Sequence, residues 1–270
     1  AEKTYFFFSH TIKEQPYNRD LLRKILDLKI RMVDHETLTD VHGKRLVGFG
    51  RYAGIVGCYN GFLAYGRRTG NFNLKRAYKC EDRKEMESEL NKIELPNIKI
   101  IVTGTGRVGK GILELLNIIG IKEVSKKDFL NKNFEQAVFV RLNTMDYNTR
   151  TDGTVDSKSD FYTNPKEYRS DFMKYAKLSE FFIAGHYYAA GSPYLFTRED
   201  ARSLDFKIRT IVDVSCDIDG PVASTIQASS IDDPIYGYNP VTESVDVFNK
   251  EGVVSVVAID NLPCELPKDA

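Results

Sequence analysis

The sequence predicts an α/β fold built on a parallel, doubly wound sheet, and three observations carry that prediction. Short apolar runs suited to strands alternate along the chain with segments of helical periodicity. A glycine-rich turn, Gly104-Thr105-Gly106-Arg107-Val108-Gly109, joins one such strand directly to one such helix. The run Tyr5-Phe6-Phe7-Phe8 is continuously apolar, as in strands that parallel sheets bury on both faces.

In order along the chain, residues 16–30 carry Leu21, Leu22, Ile25, Leu26 and Leu28 at the spacing of an amphipathic helix, with Pro16 suited to its first turn. Ile30 to Asp34 reads as a short strand, and Gly43 marks a turn before Leu46. Residues 54–65 are small and apolar, a helix whose glycines permit close backbone approach. A solvated helix follows over residues 81–92, and Leu95-Pro96 reads as a linker. From residue 98 the rhythm becomes that of nucleotide-binding units: a strand over 98–102, a helix over 109–120, and strands at 121–124, 137–140, 181–184, 210–214 and 253–259. The polar, aromatic-dotted stretch from Asp146 to Tyr175 is too long for an ordinary connection and reads as an insertion with its own helix.

Composition narrows the function. The 270 residues carry 38 basic and 38 acidic side chains, which argues against a nucleic-acid binder or a polybasic membrane adhesin. A hydrophobic content of 42% supports a buried core. No stretch approaches the ~20 apolar residues of a membrane span, so no membrane partner is expected. The four cysteines include no CxxC pair, which suggests neither a disulfide frame nor a zinc site, and a cytoplasmic setting is the default. HExxH, GxSxG and P-loop patterns are absent from the sequence, and no metal site is expected.

The glycine turn is the strongest local signal. Gly104 permits the tight turn, Gly106 lets a pyrophosphate approach the backbone, and Gly109 lets helix and strand pack. A ribose-binding acid should end the next strand, ~20 residues on. With that strand placed at 121–124, the tip offers Ser125-Lys126-Lys127-Asp128, where lysines would suit the extra phosphate of NADP or simply begin a solvated helix. His10 follows the first strand at the carboxyl edge where such sheets bind ligands; it suits proton exchange, or a structural hydrogen bond. His186 follows the strand 181–184, and Asp213 and Asp217 flank the end of another.

At several places the residues are familiar. Phe7-Phe8-Ser9-His10-Thr11-Ile12-Lys13, the run Arg45 to Gly54, Val212 to Asp217 and the closing Ile259 to Pro267 resemble the lysine-forming saccharopine dehydrogenases. They equally resemble the lysine–ketoglutarate reductase part of aminoadipic semialdehyde synthase. The resemblance implies interconversion of saccharopine with L-lysine plus 2-oxoglutarate, using NAD or NADP. It implies two Rossmann-like domains of the alanine dehydrogenase type with the active site in the cleft between them. Residues 1–96 would be a truncated substrate domain to which 260–270 return, and 97–259 the nucleotide domain, with the insertion at 146–175.

The same resemblance assigns roles. His10 matches the family's acid–base histidine, and Glu36 an acid that tunes it. Gln15, Arg45 and Phe49 match substrate contacts, and Lys44 stands on the cofactor side where an arginine is common. Arg107, Val108, Ser215, Cys216 and Asp217 match cofactor contacts, while His186 and Tyr187 stand in a nicotinamide- or substrate-facing loop. The family's catalytic lysine belongs to a strand before FFSH, and Lys3 is too close to His10 to be it. The expectation is therefore an internal portion of a longer enzyme. The alternatives are an alanine dehydrogenase-like enzyme, or a nucleotide-binding fragment without catalysis.

Overall fold

A computed structural model describes residues 3–13, 18–43, 45–154, 157–188 and 191–270. The chain forms two compact units, residues 1–49 and 50–270.

In the first unit, β1 (Thr4–Phe7) pairs in parallel with β2 (Arg31–Asp34), through the crossover helix α1 (Arg19–Asp27). This helix is shorter than its periodicity suggests. Lys29 takes a left-handed φ of 47°, and the Ile30 N–H folds back onto the Ile25 carbonyl at 3.0 Å, which ends it. Pro16 lies outside the described residues. The strand at Tyr5–Phe8 forms, but not as one buried on both faces: Tyr5 is 47% and Phe6 62% exposed. Two strands and one helix supply too little apolar surface to cover it.

The second unit contains, in chain order, the strands β3 (Lys99–Thr103), β4 (Lys122–Glu123), β5 (Val138–Leu142), β6 (Asn148–Arg150) and β7 (Tyr168–Ser170). These are followed by β8 (Phe181–Ala184), β9 (Thr210–Asp213), β10 (Tyr236–Asn239), β11 (Ser244–Asp246) and β12 (Val254–Val257). Its helices are α2 (Gly50–Thr69), α3 (Arg83–Glu89), α4 (Arg107–Ile119), α5 (Lys126–Asn131), α6 (Lys158–Thr163), α7 (Met173–Ala176) and α8 (Arg198–Arg202). Eight strands make one sheet in the order β11-β10-β12-β9-β8-β3-β5-β4, parallel from β12 to β4. β10 and β11 extend it antiparallel, and β6 and β7 form a separate antiparallel ribbon in the insertion, where α6 is the expected helix.

Strand alternation sends Ile100, Val102, Phe181, Ile183 and Val212 to one face, against α2 and α4. Ile101, Val140, Phe182 and Ile211 point to the other, into a core with Phe129, Phe172, Phe196 and Phe206. Helix α2 is longer than expected, and every residue from 54 to 66 is buried. It crosses α4 at backbone contact distance: a Cβ on Gly54 would lie 2.1 Å from the Val108 oxygen, and one on Gly111 2.0 Å from the Arg51 oxygen. Residues 50–96, read from the sequence with the substrate domain, pack on this sheet. The turn Leu262–Glu265 packs on α2, and its Glu265 carboxylate accepts the buried Asn60 amide at 2.7 Å.

The placement of β4 corrects the sequence reading. It lies at the sheet edge, and β5 is inserted between it and β3. The chain passes over one face through α4, then doubles back with α5 on the opposite face. A reversed direction needs the opposite face to keep each crossover right-handed. Among the described residues no helix is long and apolar enough to cross a membrane.

Candidate active site

In the second unit the candidate residues gather at the carboxyl edge of the parallel strands. The glycine turn leaves β3 and enters α4 there. Gly104 has φ of 98°, and a Cβ on it would lie 2.1 Å from the Gly185 oxygen. A Cβ on Gly109 would meet the Gly104 oxygen at 2.2 Å. The turn's own packing thus demands glycine at both places. At Gly106 it does not: φ is −82°, and nothing lies within 4 Å of where a Cβ would stand. That open space lies at the N-cap of α4, which no side chain caps. An unfilled cradle beside an uncapped helix start is what a pyrophosphate needs, so these residues fit a pyridine dinucleotide. Arg107 and Val108 form the first turn of the helix.

Asp213, the last residue of β9, is fully buried and accepts hydrogen bonds from the Ser215 hydroxyl and the Thr225 hydroxyl, both at 2.8 Å. Burial pushes its carboxyl up to about 6, against the pull of those hydrogen bonds. Asp213 thereby pins the loop carrying Ser215, Cys216 and Asp217. Cys216 has a left-handed φ of 52°, and its thiol donates to the Ala258 carbonyl at 3.1 Å. His186 follows β8 as expected but is turned inward. It is 8% exposed, and its Nδ1 shares a hydrogen bond of 2.8 Å with the Thr103 hydroxyl. Burial pushes it down to about 4, so it is a neutral imidazole at physiological pH. The adjacent Tyr187 is 75% exposed.

The first unit builds its own constellation on the ends of β1 and β2. Asp34 closes β2 and accepts the Glu36 N–H at 2.9 Å, starting the 3-10 turn His35–Thr37. It also receives the Ser9 hydroxyl, which ties the segment after β1 to the segment after β2. Burial alone would raise the Asp34 carboxyl, but the Ser9 hydroxyl and the N–H groups of Glu36 and Ser9 hold it below its ordinary value. His10 then takes a left-handed φ of 55°. Its Nδ1 lies 3.6 Å from Glu36 Oε2, while Arg45 reaches the other carboxylate oxygen at 3.3 Å. The Glu36 side chain is 3% exposed, whereas those of His10 and Arg45 are 42% and 46% exposed. Phe8 underlies the group, with its ring 5.1 Å from His10, 5.6 Å from Phe49 and 5.3 Å from the Arg45 guanidinium.

A buried acid facing His10 Nδ1 favours the proton on that nitrogen and presents Nε2 for proton exchange. Sequence reading named His10, Glu36, Arg45 and Phe49, and the structure brings all four together. Gln15 and Lys44 lie outside the described residues. What the reading missed is the Ser9–Asp34 tie and the Thr225–Asp213 bond; a polar residue closing an apolar strand was the available signal for both.

No family model matches the chain. Its homologues are alpha-aminoadipic semialdehyde synthases and saccharopine dehydrogenases. The mitochondrial alpha-aminoadipic semialdehyde synthase of Mus musculus is 28% identical over 314 residues, covering 100% of this chain and 34% of the relative. That of Arabidopsis thaliana is 27% identical over 308 residues, covering 100% and 29%. The NAD(+)-dependent, L-lysine-forming saccharopine dehydrogenase of Candida glabrata is 25% identical over 283 residues, covering 97% and 63%. The chain thus spans a third of the length of the synthases it matches. Among solved structures, an L-alanine dehydrogenase matches 98% of this chain and 62% of its own, with TM-score 0.53 and 14% identity, a likeness of fold.

Proposed function

We propose that this chain belongs to an NAD- or NADP-dependent oxidoreductase of lysine metabolism that interconverts saccharopine with L-lysine plus 2-oxoglutarate. The observation that carries the reading is the His10–Glu36–Arg45 group: a proton-exchanging imidazole held by a buried acid, beside a half-exposed guanidinium suited to a carboxylate. In the oxidative direction the secondary amine of saccharopine loses a hydride and a proton to become an imine. Water adds to the imine carbon, and the carbon–nitrogen bond breaks to give lysine and 2-oxoglutarate. The nicotinamide, when bound, takes the hydride.

His10 takes a proton from the attacking water and returns one to the departing amine. Glu36 holds the imidazole oriented, its buried carboxylate facing Nδ1. Arg45 and Phe49 position a carboxylate arm of the substrate, with Gln15 and Tyr187 as further substrate contacts, while the buried His186 supports the loop that carries Tyr187. Gly104, Gly106, Arg107, Val108 and Gly109 hold the pyrophosphate, and Lys44, Ser215, Cys216 and Asp217 complete the nucleotide contacts. In this reading residues 1–96 with 260–270 serve the substrate and 97–259 the nucleotide. Four free cysteines suit a reducing compartment such as the cytoplasm.

The test follows NADH and NADPH oxidation by the full-length protein with lysine and 2-oxoglutarate, alongside alanine with NAD. Lysine-dependent turnover is expected with one nucleotide or both. Its absence with both, or turnover with alanine alone, removes the assignment.

A further inference from the structure

The second unit has a groove at the edge of its sheet opposite the glycine turn. Its volume is about 560 Å³, within the range of small-metabolite sites. The amino ends of three adjacent strands build it: Lys99 opens β3, Glu180 precedes β8 and Arg209 precedes β9. Lys177, just past α7, and Lys207 add two more cations, while Phe134 and Leu178 supply apolar surface. Four cations therefore share the groove with one carboxylate. Among the described residues none of these five takes part in an ion pair.

The two half-buried cations are held by neutral groups. Lys99 Nζ donates to the Phe129 carbonyl at 2.6 Å and lies over the rings of Phe129 and Phe134, 5.2 and 5.6 Å from their centres. Arg209 donates from Nη1 to the Phe206 and Ile208 carbonyls, both at 2.9 Å. These contacts fix the two groups in place and leave their charge uncompensated. Burial holds both below their ordinary values, and for Arg209 the Glu180 charge offsets this only in part. The Nε–Nη2 edge of Arg209, the edge that Arg51 presents to Glu114, has no partner among the described residues. Such an edge takes an acidic group bidentately. Lys99 and Arg209 start from strands two spacings apart, about 10 Å, which is wider than one phosphate ion spans. We propose that this groove binds a small organic anion with two or more carboxylate or phosphate groups, one on the Arg209 edge and another among the lysines, its carbon link against Phe134 and Leu178. The site stands independently of the function proposed above.

The experiment titrates citrate, fructose 1,6-bisphosphate and inorganic phosphate into the full-length protein by calorimetry at one fixed ionic strength. The same titrations are run on Lys177→Glu, Lys207→Glu and Lys84→Glu. All three lysines are exposed, so reversing their charge leaves the fold intact, and Lys84, on α3, lines no part of the groove. At least one of the two organic anions is expected to bind at least tenfold more tightly than phosphate, and the tighter of them names the acidic group. Lys177→Glu and Lys207→Glu are each expected to weaken that anion at least tenfold, and Lys84→Glu less than twofold. Binding no tighter than that of phosphate overturns the proposal. So does an affinity unmoved by the two groove variants, which places the anion elsewhere, or one weakened equally by Lys84→Glu, which reports net charge alone.

Discussion

His10 sits on a left-handed backbone with φ of 55°, a conformation that non-glycine residues adopt rarely and at functional sites more than elsewhere. The Ser9–Asp34 tie holds that conformation, and Glu36 uses it to face the imidazole. His10→Gln should lower turnover ~100-fold or more, as loss of a general acid–base does, and abolish the pH–rate limb it governs. An unchanged pH–rate profile would remove its acid–base role. The glycines of the turn separate by what surrounds them. Gly106→Ala should leave stability within ~0.5 kcal/mol and weaken nucleotide binding, while Gly104→Ala, at φ 98° against the Gly185 oxygen, should cost ~2–4 kcal/mol. Urea melts with nucleotide titrations distinguish the two. Both glycines were legible because the turn is a local pattern; that Glu36 faces His10 follows from a crossover, and only the resemblance pointed to it.

Asp213 and His186 give the same unit two opposing responses to pH. The folded Asp213 carboxyl, up to about 6 from 3.8, binds its proton more tightly than the unfolded chain does. Its contribution is complete below 3.8 and is lost as pH rises through 6, an amount on the order of 3 kcal/mol. His186, down to about 4 from 6.5, contributes stability present above 6.5 and lost as pH falls through 4. Asp213→Asn should therefore let stability rise more steeply between pH 4 and pH 7 than in the wild type. Thermal melts across that range check this, and parallel curves for the two proteins would contradict it.

At the scale of elements, the crossing of α2 and α4 is the tightest feature of the second unit. Gly54→Ala or Gly111→Ala should cost ~1–3 kcal/mol by forcing the helices apart, read as a lower urea midpoint. By contrast Arg51→Ala at the same crossing removes a bidentate pair to Glu114 at 2.6 Å, which is 47% exposed on the arginine side and worth under ~1 kcal/mol. Helix existence was readable from apolar spacing and glycine content. Strand order was not: β4 and β5 are both short, and which of them lies beside β3 depends on pairing across the sheet, not on either sequence. β10 and β11 escaped notice because Gly237 interrupts one and the other is three residues long.

Taken whole, the molecule distributes its burial unevenly. Ile25 is the one buried hydrophobic side chain among the described residues of the first unit, while the second holds two continuous cores. Residues 50–270 expressed alone should therefore fold cooperatively and titrate with a dinucleotide without turnover, and residues 1–49 alone should not fold. Near-ultraviolet circular dichroism and nicotinamide fluorescence would show both results. Neutral overall charge, read from composition, is in keeping with the small-metabolite partners proposed above.

Helix α2 has a consequence for synthesis. Its buried surface packs on β8, β9 and β12, and Asn60 pairs with Glu265 across 205 residues of chain. None of these partners exists when the helix leaves the ribosome. At ~5–20 residues per second, an apolar twenty-residue segment waits ~10–40 seconds for the strands that cover it. The protein's yield in a cell should depend on whatever shields that segment in the interval, and a chaperone-depleted host should recover less folded protein without any change in its final stability.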